Sequence, residues 1–450
     1  MKNGNNRRRI IILAVFGVIG AGSLIHSFAL NNTVAFEAEG GQTSGNAIVA
    51  NDLSASNGKH IRFGAVRRFF SPDASWNKTV DQMGGKDEFL SNSVNPSDSI
   101  KNYAKRLWDY GGGYERQPVS PPGNFNLNFK NYSVPIYDMT TKTTDSAKVF
   151  QLGWAIGQQV ISHTGLNIGS TIPWNPSWKP GTGNDKILHI VNYSTGKAYE
   201  LWVVEENKSG CALILGNVIA GFDINNPNHI CLAAIETYDN LFTAKDGDGS
   251  TMSGRGMGIN NLALVVRADE VKTGNIGHAL PITVSNAMFG PDMVSPATDP
   301  TQSGAGVSKG FYLPPATRLE HINPVTLTRG SSPLSDFSDT ARSKTIPSGM
   351  RFALHISDAE ITSWLDNKGY TGVLRDTART FAKAWRDYGA IVAETGGYGI
   401  GIETDGLIGP AKNTWAELGI VDDGSTQPFG NLLDGLITEQ RLYVVKPPVY

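Results

Sequence analysis

Short apolar runs broken by glycine are the feature that most restricts this chain. Runs such as "ILHIVNY", "AYELWVV", "CLAAIET" and "HALPITV" have strand length and fall short of an ordinary helix. Glycine, at 51 of 450 residues, falls mostly between them. That punctuation favours many strands and tight turns. The expected fold is mainly β, a β-sandwich or jelly roll with a few helices outside it. The runs "SVPIYDM", "KVFQLGW", "CALILGN", "NLALVVR" and "MRFALHI" read as further strands, and "STIPWNPSWKPGTGND" as a loop. Helical stripes are few. In "LRDTARTFAKAWRDYG", Leu374, Ala378, Phe381 and Trp385 share a face and Gly389 ends the helix. "DAEITSWL" and "NPSDSIKNYAKRLWDYGG" are the other helices, the latter capped by Ser97 or Asp98.

Two stretches predict hairpins. "ILHIVNY" and "AYELWVV" flank the turn "STGK". An even-numbered loop places His189, Glu200 and Trp202 on one face, and a four-residue loop sets His189 opposite Trp202. The second hairpin joins "AIVAE" to "YGIGIET". If Glu394 pairs with Gly397, Glu403 lies roughly 20 Å away along the partner strand, too far for a carboxylate pair.

The N-terminus is cationic, "MKNGNNRRR", and leads into the apolar run "IIILAVFGVIGAGSLI". Residues 1–30 are either a cleaved secretory signal or a membrane anchor, and both put the remaining chain outside. Residues 31–66 read as a Gly/Ser/Asn-rich tether or hairpin, and residues 67–450 as one large β-rich domain. Export makes a disulfide between Cys211 and Cys231 as plausible as two buried thiols. The charge balance, 39 basic against 41 acidic residues, argues against a nucleic-acid partner. No G-x-S-x-G elbow, H-E-x-x-H pair or phosphate loop is present, and nothing implies a metal or cofactor. "KDGDGST" lacks the distal acid of a calcium loop.

The candidates for chemistry are polar residues set among apolar strands. His278 follows the polar insert "RADEVKTGNIG". Glu270 reaches it if residues 269–273 form one helical turn ended by Gly274. Arg255, in "SGRGMG", suits an anionic or hydroxyl-rich ligand, and Arg267 either joins it in binding or pairs with Glu270. Glu200 and Glu394 are candidate acid and base, with Asp185 an alternative second carboxylate. Trp174 and Trp202 are candidate sugar platforms, beside Trp178. His189 joins the binding set through its hairpin face.

Two resemblances bear on function. "FEAE" followed by "ASNGKHIRFG" is similar to the opening of carbohydrate-binding β-sandwich modules that begin with an "EAE" strand. The pieces "SWNKTV", "YSVPIYD", "SGRGMG", "RADEVKTGNIGHAL", "LPPAT", "PSGMRFAL" and "YGAIVAE" resemble a largely uncharacterised family of secreted bacterial β-rich proteins. That resemblance implies motif positions for Arg255, Arg267, Glu270, His278, Tyr388, Gly389 and Glu394 without assigning their roles. The expectation is an exported or surface-anchored protein that cleaves a polysaccharide, as hydrolase or lyase. The alternative is a non-catalytic glycan-binding or adhesion protein of the cell surface.

Overall fold

Short apolar runs supply the strands, and the sheets they build fix every site described below. The computed structural model describes residues 47–51, 59–63, 66–91, 103–110, 125–140, 145–152, 169–212, 221–245, 255, 257–284, 313–316, 346–395 and 400–448. The chain divides into two compact units, Met1–Val66 and Arg67–Tyr450. In the first, β1 (Ala47–Asn51) pairs antiparallel with β2 (Lys59–Phe63). Residues 1–30, the helix cap at Ser97 or Asp98 and the acidic turn 246–251 lie outside the described residues. Among the described residues, no helix is long and apolar enough to cross a membrane.

The second unit is mainly strands with few helices. Its six-stranded sheet contains β3 (Phe125–Asn128), β11 (Leu280–Val284), β12 (Arg351–Leu354), β13 (Ala390–Thr395), β14 (Ile400–Glu403) and β15 (Leu442–Val444). Their order is β15-β12-β13-β11-β14-β3. A four-stranded sheet has the order β10-β8-β7-β4, from β4 (Ile136–Asp138), β7 (Leu188–Val191), β8 (Ala198–Trp202) and β10 (Ala234–Tyr238). A three-stranded sheet places β5 (Asp145–Gln151) between β6 (Thr171–Trp174) and β9 (His229–Leu232). Pairing is mixed: β11–β13, β14–β3, β4–β7 and β5–β9 are parallel, the remaining pairs of this unit antiparallel.

The four-stranded sheet is covered on both faces. Leu188, Ile190, Tyr199, Leu201 and Ile235 pack with Val149, Ile172, Ile230 and Leu232 of the three-stranded sheet. Val191, Ala198 and Tyr238 on its other face join the main core, with Leu280, Ile282, Ile400 and Ile402 of the six-stranded sheet. The helix Gly372–Asp387 covers that larger sheet, with Trp385 edge-on to Phe125 at 5.6 Å and Phe381 edge-on to Phe129 at 6.5 Å. Its expected stripe is buried at Ala378, Phe381 and Trp385. Gly389 is needed there: its φ is +69°, and a β-carbon would lie 2.2 Å from the Phe352 carbonyl oxygen.

Four local readings are corrected. The run "NLALVV" is not a strand: Asn261–Leu264 form a helical turn, because a short fully buried segment carries no periodicity to separate the two. "CALILGN" likewise begins in a helical turn, Ser209–Ala212. The loop around Trp174 contains β6, and Trp174 is buried edge-on to Trp178, which stacks on Tyr137. "AIVAE" and "YGIGIET" are not hairpin partners, since β11 lies between β13 and β14.

Cys211 and Cys231 are bonded, with α-carbons 5.9 Å apart across 20 residues of sequence. Closing a loop of that length stabilises the fold by about 3 kcal/mol in the chain-entropy model. Replacing both cysteines by serine should lower the unfolding free energy by about that amount. Urea denaturation with and without reductant checks this, and equal midpoints would show that the bond contributes nothing.

Candidate functional site

Strand register assembles the site. His189 pairs with Glu200 on β8, and Glu200 pairs with Glu236 on β10. The three side chains therefore form one cross-strand row, on the face that meets the main core. The loop between β7 and β8 sits one residue earlier than expected, which moves each cross-strand partner by two, because Asn192 N–H donates to the Lys197 carbonyl at 2.8 Å. That shift keeps parity, so His189, Glu200 and Trp202 share a face as expected. It corrects the pairing: His189 opposes Glu200, and Trp202 opposes Ala234.

Arg255 closes this row from the facing side. It is 1% exposed. Its Nη2 forms an ion pair with Glu403 Oε2 at the end of β14, and Glu394 and Glu200 add to the negative field around it. Glu394 and Glu403 thus both act on the same cation, from strands separated by β11. Thr283 of β11 pairs with both Glu394 and Gly401. Two strand spacings and two residues then place the Glu394 and Glu403 α-carbons roughly 12 Å apart. Gly401 is required here, since a β-carbon would lie 2.5 Å from Thr283 Oγ1 and 2.9 Å from Asn128 Nδ2.

Glu200 is 2% exposed, and protein donors take the place of water around it. Leu262 N–H donates to Oε1 at 2.8 Å and Asn261 N–H to Oε2 at 3.2 Å, both from the start of the helical turn. Tyr238 Oη donates to Oε1 at 3.3 Å, and Asn260 Nδ2 donates to Tyr238 Oη. Burial nevertheless lifts Glu200 to about 7 against these donors and Arg255. Burial, then the adjacent Glu200 charge, lifts Glu236 to about 8. Burial, with Arg255 beside it, pushes His189 down to about 3, so the ring is neutral. Neither ring nitrogen of His189 has a hydrogen-bond partner, and neither does Glu236 Oε2 or the side-chain amide of Asn261. Buried polar atoms left in this state normally answer to water or a ligand.

The conformation next to Trp202 is unusual. Val203 adopts φ +51°, a region a β-branched residue rarely enters, and its N–H donates to the Asp185 carbonyl at 2.8 Å. Trp202 is half-buried, and its Nε1 donates to Asp185 Oδ1 at 3.4 Å. Both residues therefore sit at the solvent end of the face that carries Glu200. Trp174 does not: it is core.

His278 belongs to a second cluster. Ala268–Lys272 form the expected turn, ended by Gly274 at φ +78°. His278 Nε2 meets Glu270 Oε2 at 3.1 Å, and Nδ1 meets the Ala279 carbonyl at 2.8 Å. Arg267 Nη2 donates to Glu270 Oε1 and to the Arg67 carbonyl at 3.0 Å, with its guanidinium 3.9 Å above the Phe69 ring. Burial opposes the Glu270 charge, yet Arg267 and His278 hold Glu270 down to about 2. Asp405 completes the cluster, accepting from Ala268 N–H at 3.1 Å and Trp415 Nε1 at 2.7 Å.

The structure thus gathers Glu200, His189, Arg255 and Glu394, and puts His278, Arg267 and Glu270 in a separate ion-paired group. Sequence reasoning missed Glu236, Tyr238 and Asn260. The signal for Glu236 was an acid alternating with Ala234 and Tyr238 in an otherwise apolar run. Compared with family models, with curated proteins and with solved structures, the chain matches none.

The two clusters respond to pH in opposite senses. Glu270 is held below its ordinary value of 4.5, so its stabilisation is full above that value and is lost as pH falls toward 2. Glu200 and Glu236 are raised, so the fold binds extra protons above pH 4.5 and stability declines as pH rises through about 7 and 8. Glu236→Gln should flatten the alkaline decline, by up to a few kcal/mol at about 1.4 kcal/mol per unit. Denaturation midpoints measured across pH 3 to 9 check it, and parallel alkaline limbs for the two proteins would contradict it.

Proposed function

We propose that this chain is an exported carbohydrate-active protein that hydrolyses a polysaccharide, with Glu200 and Glu236 as its working carboxylates. The observation that carries this reading is their direct opposition on β8 and β10. Opposed antiparallel residues hold their β-carbons about 5 Å apart. A retaining glycosidase needs its carboxyl groups about 5–5.5 Å apart. The environments divide the roles. Glu200, with backbone donors and Arg255, is the better carboxylate and acts as nucleophile. Glu236, higher at about 8, keeps its proton and acts as acid.

In the first step Glu236 protonates the glycosidic oxygen as its bond to the anomeric carbon breaks. A Glu200 oxygen bonds to that carbon from the other face. Glu236, now a carboxylate, then takes a proton from water, which attacks the same carbon and releases Glu200. Tyr238 and Asn260 hold Glu200 in position. Trp202, beside Asp185, offers a ring face to an adjoining sugar.

The stacked sheets are read here as a sandwich-type arrangement with parallel pairs added. The Cys211–Cys231 bond supports export, since disulfides persist in oxidising compartments. Membership of the secreted β-rich family with the R-x-x-E-V-x-x-G-x-I-x-H-A-L motif is part of the same proposal. In it the motif forms the Arg267–Glu270–His278 group. A lyase acting through Arg255 and His278 is less favoured, because those residues sit in different clusters and Arg255 is engaged by Glu403.

Glu200→Gln and Glu236→Gln should each lower kcat/KM by about 10²–10⁴ on a cleaved polysaccharide. Reducing-end release measures this, and proton NMR of the first products should show retained anomeric configuration. Products absorbing in the ultraviolet would indicate a lyase. Retention of a glycan without any chain shortening would favour the binding protein instead.

A further inference from the structure

One exposed asparagine stands apart from the others of its kind once the fold is known. Attachment of a glycan to asparagine needs the triplet Asn-x-Ser/Thr, with a central residue other than proline, in an exported chain. The sequence holds five such triplets, beginning at Asn31, Asn77, Asn131, Asn192 and Asn207. Another, at Asn175, is disqualified by Pro176. Triplets this short recur by chance, so the fold has to separate them. The new bond forms at Nδ2. That atom must be reachable, and the hydroxyl of the third residue must be able to meet the same amide.

Asn31 lies outside the described residues. Three of the others fail. Asn77 is 3% exposed, and its Nδ2 donates to the carbonyls of Phe69, Phe70 and Ser71 at 2.9, 3.4 and 2.9 Å. Asn131 is half-buried with Thr182 Oγ1 on its oxygen at 3.0 Å, while the buried Ser133 hydroxyl donates to the Lys130 carbonyl at 2.9 Å. Asn192 is half-buried and serves the β7–β8 turn, its oxygen accepting from Ser194 N–H and Thr195 N–H at 3.0 Å each. The hydroxyl that reaches it is that of Thr140, at 3.4 Å.

Asn207 meets each requirement. It and Ser209 are both exposed, in the loop that follows β8. Its Oδ1 accepts from Ser209 N–H at 3.2 Å and from Ser209 Oγ at 3.1 Å, so the hydroxyl of the triplet sits on its own amide. These bonds engage the oxygen alone. Lys208 between them is half-buried at φ +56°, and its Nζ donates to the Asn226 carbonyl at 2.7 Å. The central residue is thus pinned to the domain while the outer two stand in solvent. The base of the loop is held by Glu205 N–H on the Cys231 carbonyl at 2.8 Å and by the Cys211–Cys231 bond.

We infer that Asn207 is a site of N-linked glycosylation, in preference to Asn77, Asn131 and Asn192. The inference rests on the export part of the proposed function and not on its chemistry. The donor is an oligosaccharide carried on a lipid pyrophosphate, and a membrane oligosaccharyltransferase catalyses the transfer. Nδ2 bonds to the anomeric carbon as the bond from that carbon to the pyrophosphate oxygen breaks. The lipid pyrophosphate leaves with the electron pair, and Nδ2 gives up one proton to a base of the transferase. Oδ1 keeps both bonds to Ser209, so the folded loop carries the glycan without rearranging.

The test uses the mature protein isolated from the organism that makes it, with non-reducing peptide mapping by mass spectrometry. The peptide containing Asn207 should carry a saccharide mass increment that yields sugar fragment ions. Asn207→Gln and Ser209→Ala, made in the same organism, should each return that peptide to its sequence mass, and Ser209→Thr should keep the increment. The unaltered protein decides the matter even where a variant fails to fold. An unmodified Asn207 in protein with Cys211 and Cys231 bonded overturns the inference and leaves export standing. An unmodified Asn207 with both thiols reduced overturns both. An increment at Asn77, Asn131 or Asn192 in place of Asn207, or one that survives Ser209→Ala, also overturns the inference.

Discussion

A charge buried between two sheets organises this molecule. Arg255 has almost no contact with solvent, and a guanidinium in that position is tolerated only where carboxylates replace its water. Glu403 comes from β14, Glu394 from β13 and Glu200 from β8, so one cation draws acids from both the six-stranded and the four-stranded sheet. Removing the cation would leave several acids without compensation. Removing one acid would leave the cation partly exposed to apolar surroundings. The group is therefore retained or lost as a set, which is the condition a preorganised site needs.

The Arg267–Glu270–His278 group solves a similar problem differently. Its three members lie within one short stretch of chain, and Gly274 lets the backbone turn so that Glu270 meets both Arg267 and His278. Every ring nitrogen of His278 is occupied. Around Glu200, by contrast, donors are supplied to one carboxylate while His189, Asn261 and Glu236 keep unused capacity. The first arrangement is that of a structural clamp. The second leaves buried polar atoms without hydrogen-bond partners. The polar insert between two buried segments is thus a turn that positions Glu270 against His278.

Local signals in the sequence were read successfully where the contacts are local. The helix Gly372–Asp387 follows from its own stripe and terminal glycine. The reach of Glu270 to His278 follows from a one-turn helix of known geometry. The shared face of His189, Glu200 and Trp202 follows from hairpin parity, which survives a shift of two residues. Trp174 failed as a sugar platform because an aromatic ring reads identically at a surface and in a core.

What the sequence determined by itself was therefore periodicity: mostly strands, a few helices, and acids placed among apolar neighbours at Glu200 and, unread, at Glu236. Only the tertiary structure decided which strands are neighbours. Inserting β11 between β13 and β14 brings Glu394 and Glu403 to one arginine, and placing β10 beside β8 brings Glu236 to Glu200. Hydrophobic alternation tells each strand which face to bury. It carries no information on the partner it buries against, because that choice depends on packing the whole core at once.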